Sequence, residues 1–178
     1  MSYETDTWRA WLAGILDGEG TVAVSRSTGR KKEGYRFDVH YRAVVQIANT
    51  DIRLIQRACD VIESITSKRP KPHSVKRYEA NQKPGWAIHI TTSWEMHLLL
   101  PAVLPWLITK QEQAEIVLSF SKRHTKSGFS GARSEAGMTL DELDYARCRL
   151  LNHRGNHGGP DIEEMERLVA NTKSNEVS

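Results

Sequence analysis

Leu12-Ala13-Gly14-Ile15-Leu16-Asp17-Gly18-Glu19-Gly20 is the stretch on which the reading of this chain turns. Thr7 to Leu16 carries Trp8, Trp11, Leu12 and Ile15 at helical spacing, which predicts a short helix. Gly14 and Gly18 stand four apart on one face of it, and small residues at that spacing let two backbones approach closely. Gly20 lets the chain leave the helix for a strand. Asp17 and Glu19 fall at the helix C-terminus, where the macrodipole disfavours negative charge. Something must offset that cost, and a divalent cation would do so. An ordinary glycine-rich helix exit with two solvated acids fits the same nine residues.

The surrounding chain alternates helix and strand signals. Thr21 to Arg26 is strand-like, and Ser27 to Gly34 is a basic turn. In Tyr35 to Ile47, one face holds Tyr35, Phe37, Val39, Tyr41, Ala43, Val45 and Ile47. The other holds Arg36, Asp38, His40, Arg42, Val44 and Gln46, so this is a strand with one core face and one polar, partly cationic face. Asn49-Thr50-Asp51 opens a helix with Ile52, Ile55, Cys59 and Ile62 inward. Ser74 to Glu79 and Trp86 to Thr91 predict a second hairpin. Ser93 is placed to cap the next helix, in which Pro101 predicts a kink or break. Thr109 to Lys122 predicts another helix. The order is α-β-β-α-β-β-α over residues 1–125. Residues 126–178 read as a helical extension and tail, its helix opened by a Thr139–Glu142 capping box.

Charge is unevenly placed. Residues 21–93 hold 14 Lys/Arg against 6 Asp/Glu, while the flanking segments are net acidic. A basic middle suits a polyanion-binding surface, and on charge alone it equally suits a solvated basic face. No apolar run reaches the ~20 residues of a membrane helix, and the N-terminus lacks a basic signal-peptide region. Cys59 and Cys148 form neither metal spacing nor a disulfide framework, so an intracellular, soluble, reduced protein with no membrane partner is expected. Asn152-His153-Arg154-Gly155-Asn156-His157 has the residue types of a His-Asn-His metal site, but its glycines fit a helix end and loop better.

The nonapeptide resembles the motif of the LAGLIDADG homing endonucleases, with Leu12, Ala13, Gly14, Asp17 and Gly20 identical to it. The element order matches, as do Gln46-Ile47-Ala48-Asn49-Thr50-Asp51 with Arg53, and Leu104-Pro105-Trp106-Leu107-Ile108-Thr109-Lys110-Gln111. The similarity covers roughly residues 8 to 122. It implies an α+β fold of αββαββα type, an antiparallel four-stranded saddle sheet backed by helices, with a C-terminal helical extension. It implies a site-specific nuclease that hydrolyses double-stranded DNA with Mg²⁺, Mn²⁺ being able to substitute. An RNA maturase or a non-cleaving DNA-binding regulator on the same fold is the alternative. Glu19 matches the metal-binding acid, assisted by the Gly18 carbonyl. Asn49, Arg53 and Lys110 match positions around the scissile phosphate, with Gln46 an alternative for the polar role. One motif copy implies a homodimer, paired through Leu12, Ala13, Gly14, Ile15, Asp17 and Gly18. The implied DNA-binding set is Arg26, Arg30, Lys31, Lys32, Arg36, Asp38, His40, Arg42, Lys68, Arg69, Lys76, Arg77 and His89.

Overall fold

A computed structural model describes residues 3–28, 39–75, 83–124 and 135–152, together with positions 167 and 170. The motif helix α1 spans Tyr3–Glu19 and runs without a break into strand β1, Gly20–Thr28. The tightness of that junction explains Gly20. A Cβ there would lie 2.7 Å from the Leu16 carbonyl oxygen and 2.8 Å from the Leu16 Cα, both backbone atoms that cannot swing aside. Strand β2 (Val39–Asn49) follows, then helix α2 (Ile52–Thr66), strands β3 (His73–Val75) and β4 (Gly85–Ile90), and helices α3 (Ser93–Val103), α4 (Gln111–Arg123) and α5 (Glu135–Asn152).

The four strands form one antiparallel sheet in the order β1-β2-β4-β3. Register follows the alternation of β2. Val22 and Val24 stand opposite Val45 and Ala43, and Val45 and Ile47 stand opposite Ile90 and Ile88. All are buried and join Leu12 and Leu16 of α1, Ile55, Cys59 and Ile62 of α2, and Ala114 and Val117 of α4 in one core. Burying each large apolar side chain contributes roughly 1.5–3 kcal/mol, and a one-residue slip of β2 would turn the whole set outward. Helix α3 packs on α1, α2 and α4. The sheet's opposite side carries Thr21, Arg42, His73 and His89, all exposed.

Local expectations needed correction at three places. Helix α3 passes through Pro101 and ends at Val103, where a 3₁₀ turn of Leu104–Trp106 takes over. Pro101 has no N–H to give to the His97 carbonyl and crowds that turn, and the helix ends two residues later. The N-cap of α3 is Thr92, not Ser93, and the Thr92 hydroxyl bonds the Glu95 carboxylate instead of capping a backbone N–H. Helix α5 begins at Glu135, so Thr139 lies within it and no capping box opens it. This helix runs beside β1. Its Asn152 side chain donates to the Val22 carbonyl at 3.1 Å and to Cys148 O at 2.9 Å. Burial raises the Cys148 thiol pKa to about 12, although the Val24 backbone N–H opposes the shift. Arg123 and His124, at the end of α4, pair with the buried Asp141 of α5, and Arg123 also pairs with Asp144.

Candidate active site

The two sides of α1 have different tasks. Leu12, Ala13 and Leu16 are fully buried within the chain's own core. Leu12 and Ala13 were expected at a subunit interface, yet in this position they can only support such a surface from behind. Gly14 and Gly18 face outward, and a Cβ added at either would meet nothing within 4 Å. Thr7 and Trp11 share their side, and Trp11 meets Trp8 edge-on at 6.0 Å. Arg57 lies 4.9 Å over the Trp8 ring. Ile15 is half-buried beside the glycines.

Asp17, the third residue from the helix end, is half-buried and already engaged by the chain. Its Oδ2 accepts from the Ile108 N–H at 2.8 Å. Its Oδ1 accepts from the Thr109 N–H at 3.2 Å, the Thr109 hydroxyl at 3.0 Å and the Lys110 N–H at 3.0 Å. Burial pushes the Asp17 carboxyl up, but the donors of Ile108, Thr109 and Lys110 together bring it below its ordinary value. The sequence could not show this, because the partners lie more than 90 residues away. Lys110 completes the arrangement. It is 5% exposed, and its ammonium donates to Leu16 O at 2.8 Å and Asp17 O at 2.5 Å. A cation on the last-turn carbonyls of α1 offsets the negative end of the macrodipole. Part of the compensation expected for the acids at this helix end is therefore supplied by Lys110 and the 108–110 loop.

Glu19 is different: it is exposed and has no hydrogen bond or ion pair among the described residues. Because Gly20 stands opposite Ile47 and Thr21 opposite Gln46, the end of the motif meets the end of β2. Glu19, Gln46 and Asn49 thus lie toward the same end of the β1–β2 ribbon, Gln46 and Asn49 on opposite sides of it by parity, and the Lys110 ammonium reaches the same helix end. Asn49 Oδ1 accepts from the Asp51 N–H at 2.8 Å. Asp51 caps α2 by accepting from the Arg53 N–H at 2.9 Å, and its carboxylate also receives the Arg53 guanidinium, Nη2 at 2.7 Å and Nε at 3.0 Å. Arg53 holds the Asp51 carboxyl down to about 2, and the guanidinium pKa rises in return. Both groups lie in solvent, with Arg53 86% exposed.

The cations divide into three groups. Arg42 and His40 are exposed on the open sheet side, in line with Gln46 and with His89 across the β2–β4 ladder. His89 meets His73 edge-on at 4.7 Å, a neighbour that the sequence did not single out. Burial, then the His73 charge, lowers the His89 pKa. Arg26, Lys68 and Arg69 lie elsewhere than expected. Arg26 stands opposite Tyr41 and shares the side of Val22 and Val24, so it projects toward the helices. Lys68 pairs with the buried Glu95 at 2.9 Å and lies 5.5 Å from the Trp94 ring centroid. Arg69 is held between Asp60 at 2.5 Å and Glu63 at 3.0 Å on α2. Arg30, Lys31, Lys32, Arg36, Asp38, Lys76 and Arg77, like His153 and His157, lie outside the described residues.

A hard divalent cation suits this donor set. Glu19 offers an unengaged carboxylate, Gly18 a backbone carbonyl beside it, and Mg²⁺ typically takes one or two carboxylates and keeps several waters. Among the described residues no three His, Cys, Asp or Glu side chains converge on a metal. No helix there is long and apolar enough to cross a membrane.

No family profile and no curated relative matches the sequence. Solved structures do. The homing endonuclease I-CvuI, in complex with DNA in the presence of Mg and with that DNA not cleaved, aligns over 97% of this chain and 98% of its own, with a TM-score of 0.66 and 18% identity. The archaeal intron-encoded homing endonuclease I-Vdi141I, complexed with DNA, aligns over 97% and 99%, with a TM-score of 0.64 and 12% identity. The LAGLIDADG meganuclease I-CpaMI, bound to uncleaved DNA, aligns over 90% of this chain and 49% of its own, at TM-score 0.56 and 17% identity. At these identities the likeness is one of fold. The chain has the α+β fold of the LAGLIDADG homing endonucleases, and the likeness extends beyond residue 122.

Proposed function

We infer that this chain is a metal-dependent, site-specific double-strand DNA endonuclease acting as a homodimer paired through α1. The carrying observation is the exposed, unpaired Glu19 at the end of a helix whose outward side is bare at Gly14 and Gly18. A single chain offers one such carboxylate, and cutting two strands calls for two. Two-fold pairing of α1 would bring a second Glu19 to the first, since an isologous interface uses the same patch twice. Support also comes from I-CpaMI, a chain about twice the aligned length. In this reading residues 1–125 form the endonuclease core and residues 126–178 its extension.

The residues divide the work as follows. Glu19, with the Gly18 carbonyl, holds Mg²⁺, which when bound lowers the pKa of a water and polarises the phosphate. Asn49 or Gln46 orients the attacking water. Arg53 takes the phosphate charge, and its pair with Asp51, screened by solvent, is released at little cost. Lys110 steadies the charge that develops in the transition state. The open sheet side with His40, Arg42 and His89 lies along the duplex, and the charge of Arg30, Lys31, Lys32, Arg36, Lys76 and Arg77 suits the same polyanion.

The test is a plasmid library of randomised sites scored for linearisation in Mg²⁺, with wild-type protein and with Glu19→Gln. The wild type should cut a discrete site, and Glu19→Gln should bind that DNA without cutting it. Binding without cutting by the wild type would instead favour a regulator. Undiminished cutting by Glu19→Gln would exclude Glu19 as the ligand.

A further inference from the structure

We propose that Asp17 is a positioning residue, which fixes the Lys110 ammonium at the catalytic end of α1. The inference rests on the reading of Lys110 as a charge that matters to the rate. Four donors converge on the Asp17 carboxylate: three consecutive N–H groups of the 108–110 loop and the Thr109 hydroxyl. An ionised carboxylate offers about two acceptor sites on each oxygen, so three donors crowd Oδ1 while Oδ2 takes one, and most of the carboxylate's capacity is committed to this loop.

The same residue holds Lys110 at both ends. Its carboxylate takes the Lys110 backbone N–H, and its main-chain carbonyl takes the Lys110 ammonium at 2.5 Å. A lysine side chain is a flexible four-carbon stem that ordinarily samples many rotamers. Here its root and its tip are tied to one residue, with Leu16 O as a third point at 2.8 Å. The tip is thereby set one residue from Gly18 and two from Glu19. Without the carboxylate, three loop N–H groups lose their acceptor, and the loop that carries Lys110 is no longer tied to α1. Leu107 anchors the start of the loop in the core, while Ile108 beyond it is 85% exposed and adds no such anchor.

The experiment is a double-mutant cycle of Asp17→Ala and Lys110→Met, read by single-turnover cleavage and DNA affinity, with thermal melts checking that each variant folds. Asp17→Ala should slow cleavage at least about tenfold, toward the 10²–10³ typical of losing one electrostatic donor. DNA affinity should stay within about threefold, since the loss belongs to the transition state. In the Lys110→Met background the same change should slow cleavage less than about threefold, the non-additivity expected of residues acting through one contact. Full additivity, or an Asp17→Ala rate equal to wild type, would overturn the proposal. If Asp17→Ala does not fold, Asp17→Asn carries the cycle. A second readout needs no cleavage: the ¹⁵N-lysine ammonium signal of Lys110 should resist solvent exchange in the wild type and be lost in the Asp17 variant. If the wild type cuts no DNA, the function fails and this signal alone decides the positioning. Its persistence without Asp17 would refute it.

Discussion

Replacing Gly14 by Leu should push monomer stability and dimer affinity in opposite directions. Gly14 lies inside α1, and within the chain a Cβ there meets nothing within 4 Å. A glycine in a helix interior is about 0.8–1.0 kcal/mol less favourable than alanine, and leucine ranks close to alanine. The dilute monomer should therefore gain nearly 1 kcal/mol. For a domain of this size, 1 kcal/mol corresponds to roughly 2–4 °C in Tm. The paired state should suffer instead. Overpacking typically costs about 1–3 kcal/mol per site, and two-fold symmetry places the change twice, giving about 2–6 kcal/mol. Since 1.4 kcal/mol is tenfold, the dissociation constant should rise by about thirtyfold to 10⁴-fold. Sedimentation velocity over a concentration series reads the second effect. Thermal unfolding at the dilute end reads the first, because the melting of a dimer depends on concentration. A Gly14→Leu protein that dimerises as tightly as wild type would remove α1 as the pairing surface. A destabilised monomer would mean that Gly14 serves the chain's own packing.

Further outcomes can be stated more briefly. Gly20→Ala should destabilise the chain by about 1–3 kcal/mol in urea titration, because the new methyl meets the Leu16 backbone and forces the helix–strand junction apart. Part of the acid sensitivity should trace to Asp17. Its folded pKa is lowered, so its stabilisation is present above the unfolded value and is lost as pH falls below about 4; Asp17→Asn should flatten that limb of the stability–pH curve. Lys68→Met should cost about 1–2 kcal/mol by leaving the buried Glu95 without its cation, while DNA affinity in a shift assay stays unchanged. Arg42→Ala should show the reverse, weaker binding with a reduced salt slope and an unaltered melt.

What could be read in advance was whatever repeats with a local period. Alternation along β2 gave its buried side, and helical spacing placed Ile55, Cys59 and Ile62 inward. The outward glycines of α1 followed from the same geometry. Arg26 was also within reach: it continues the every-second-residue series of Val22 and Val24, so parity alone assigns it to their side. Asp17 and Lys110 could not have been joined this way, because their contacts close a long loop and depend on where the 3₁₀ turn leaves Ile108. Lys68 and Arg69 look like free charge in a sequence. Only the packing of the α2 exit against α3 shows that Glu95 already neutralises Lys68, and only its fold-back along α2 shows that Asp60 and Glu63 neutralise Arg69.

The seating of α5 beside β1 bears on how the protein can be cut down. With the strand order β1-β2-β4-β3, β1 is a lateral margin of the sheet, where unpaired backbone groups can recruit a foreign strand. The Asn152 amide on the Val22 carbonyl and the Cys148 sulfur by the Val24 N–H occupy that margin. A fragment ending at residue 125 would keep every core strand yet leave this nine-residue ribbon uncovered. Such a truncation would form intermolecular sheets and precipitate, whereas one ending just past Asn152 would stay dispersed. The C-terminal helix would thereby shield the β1 margin from edge-to-edge strand pairing, which leaves pairing through α1 untouched.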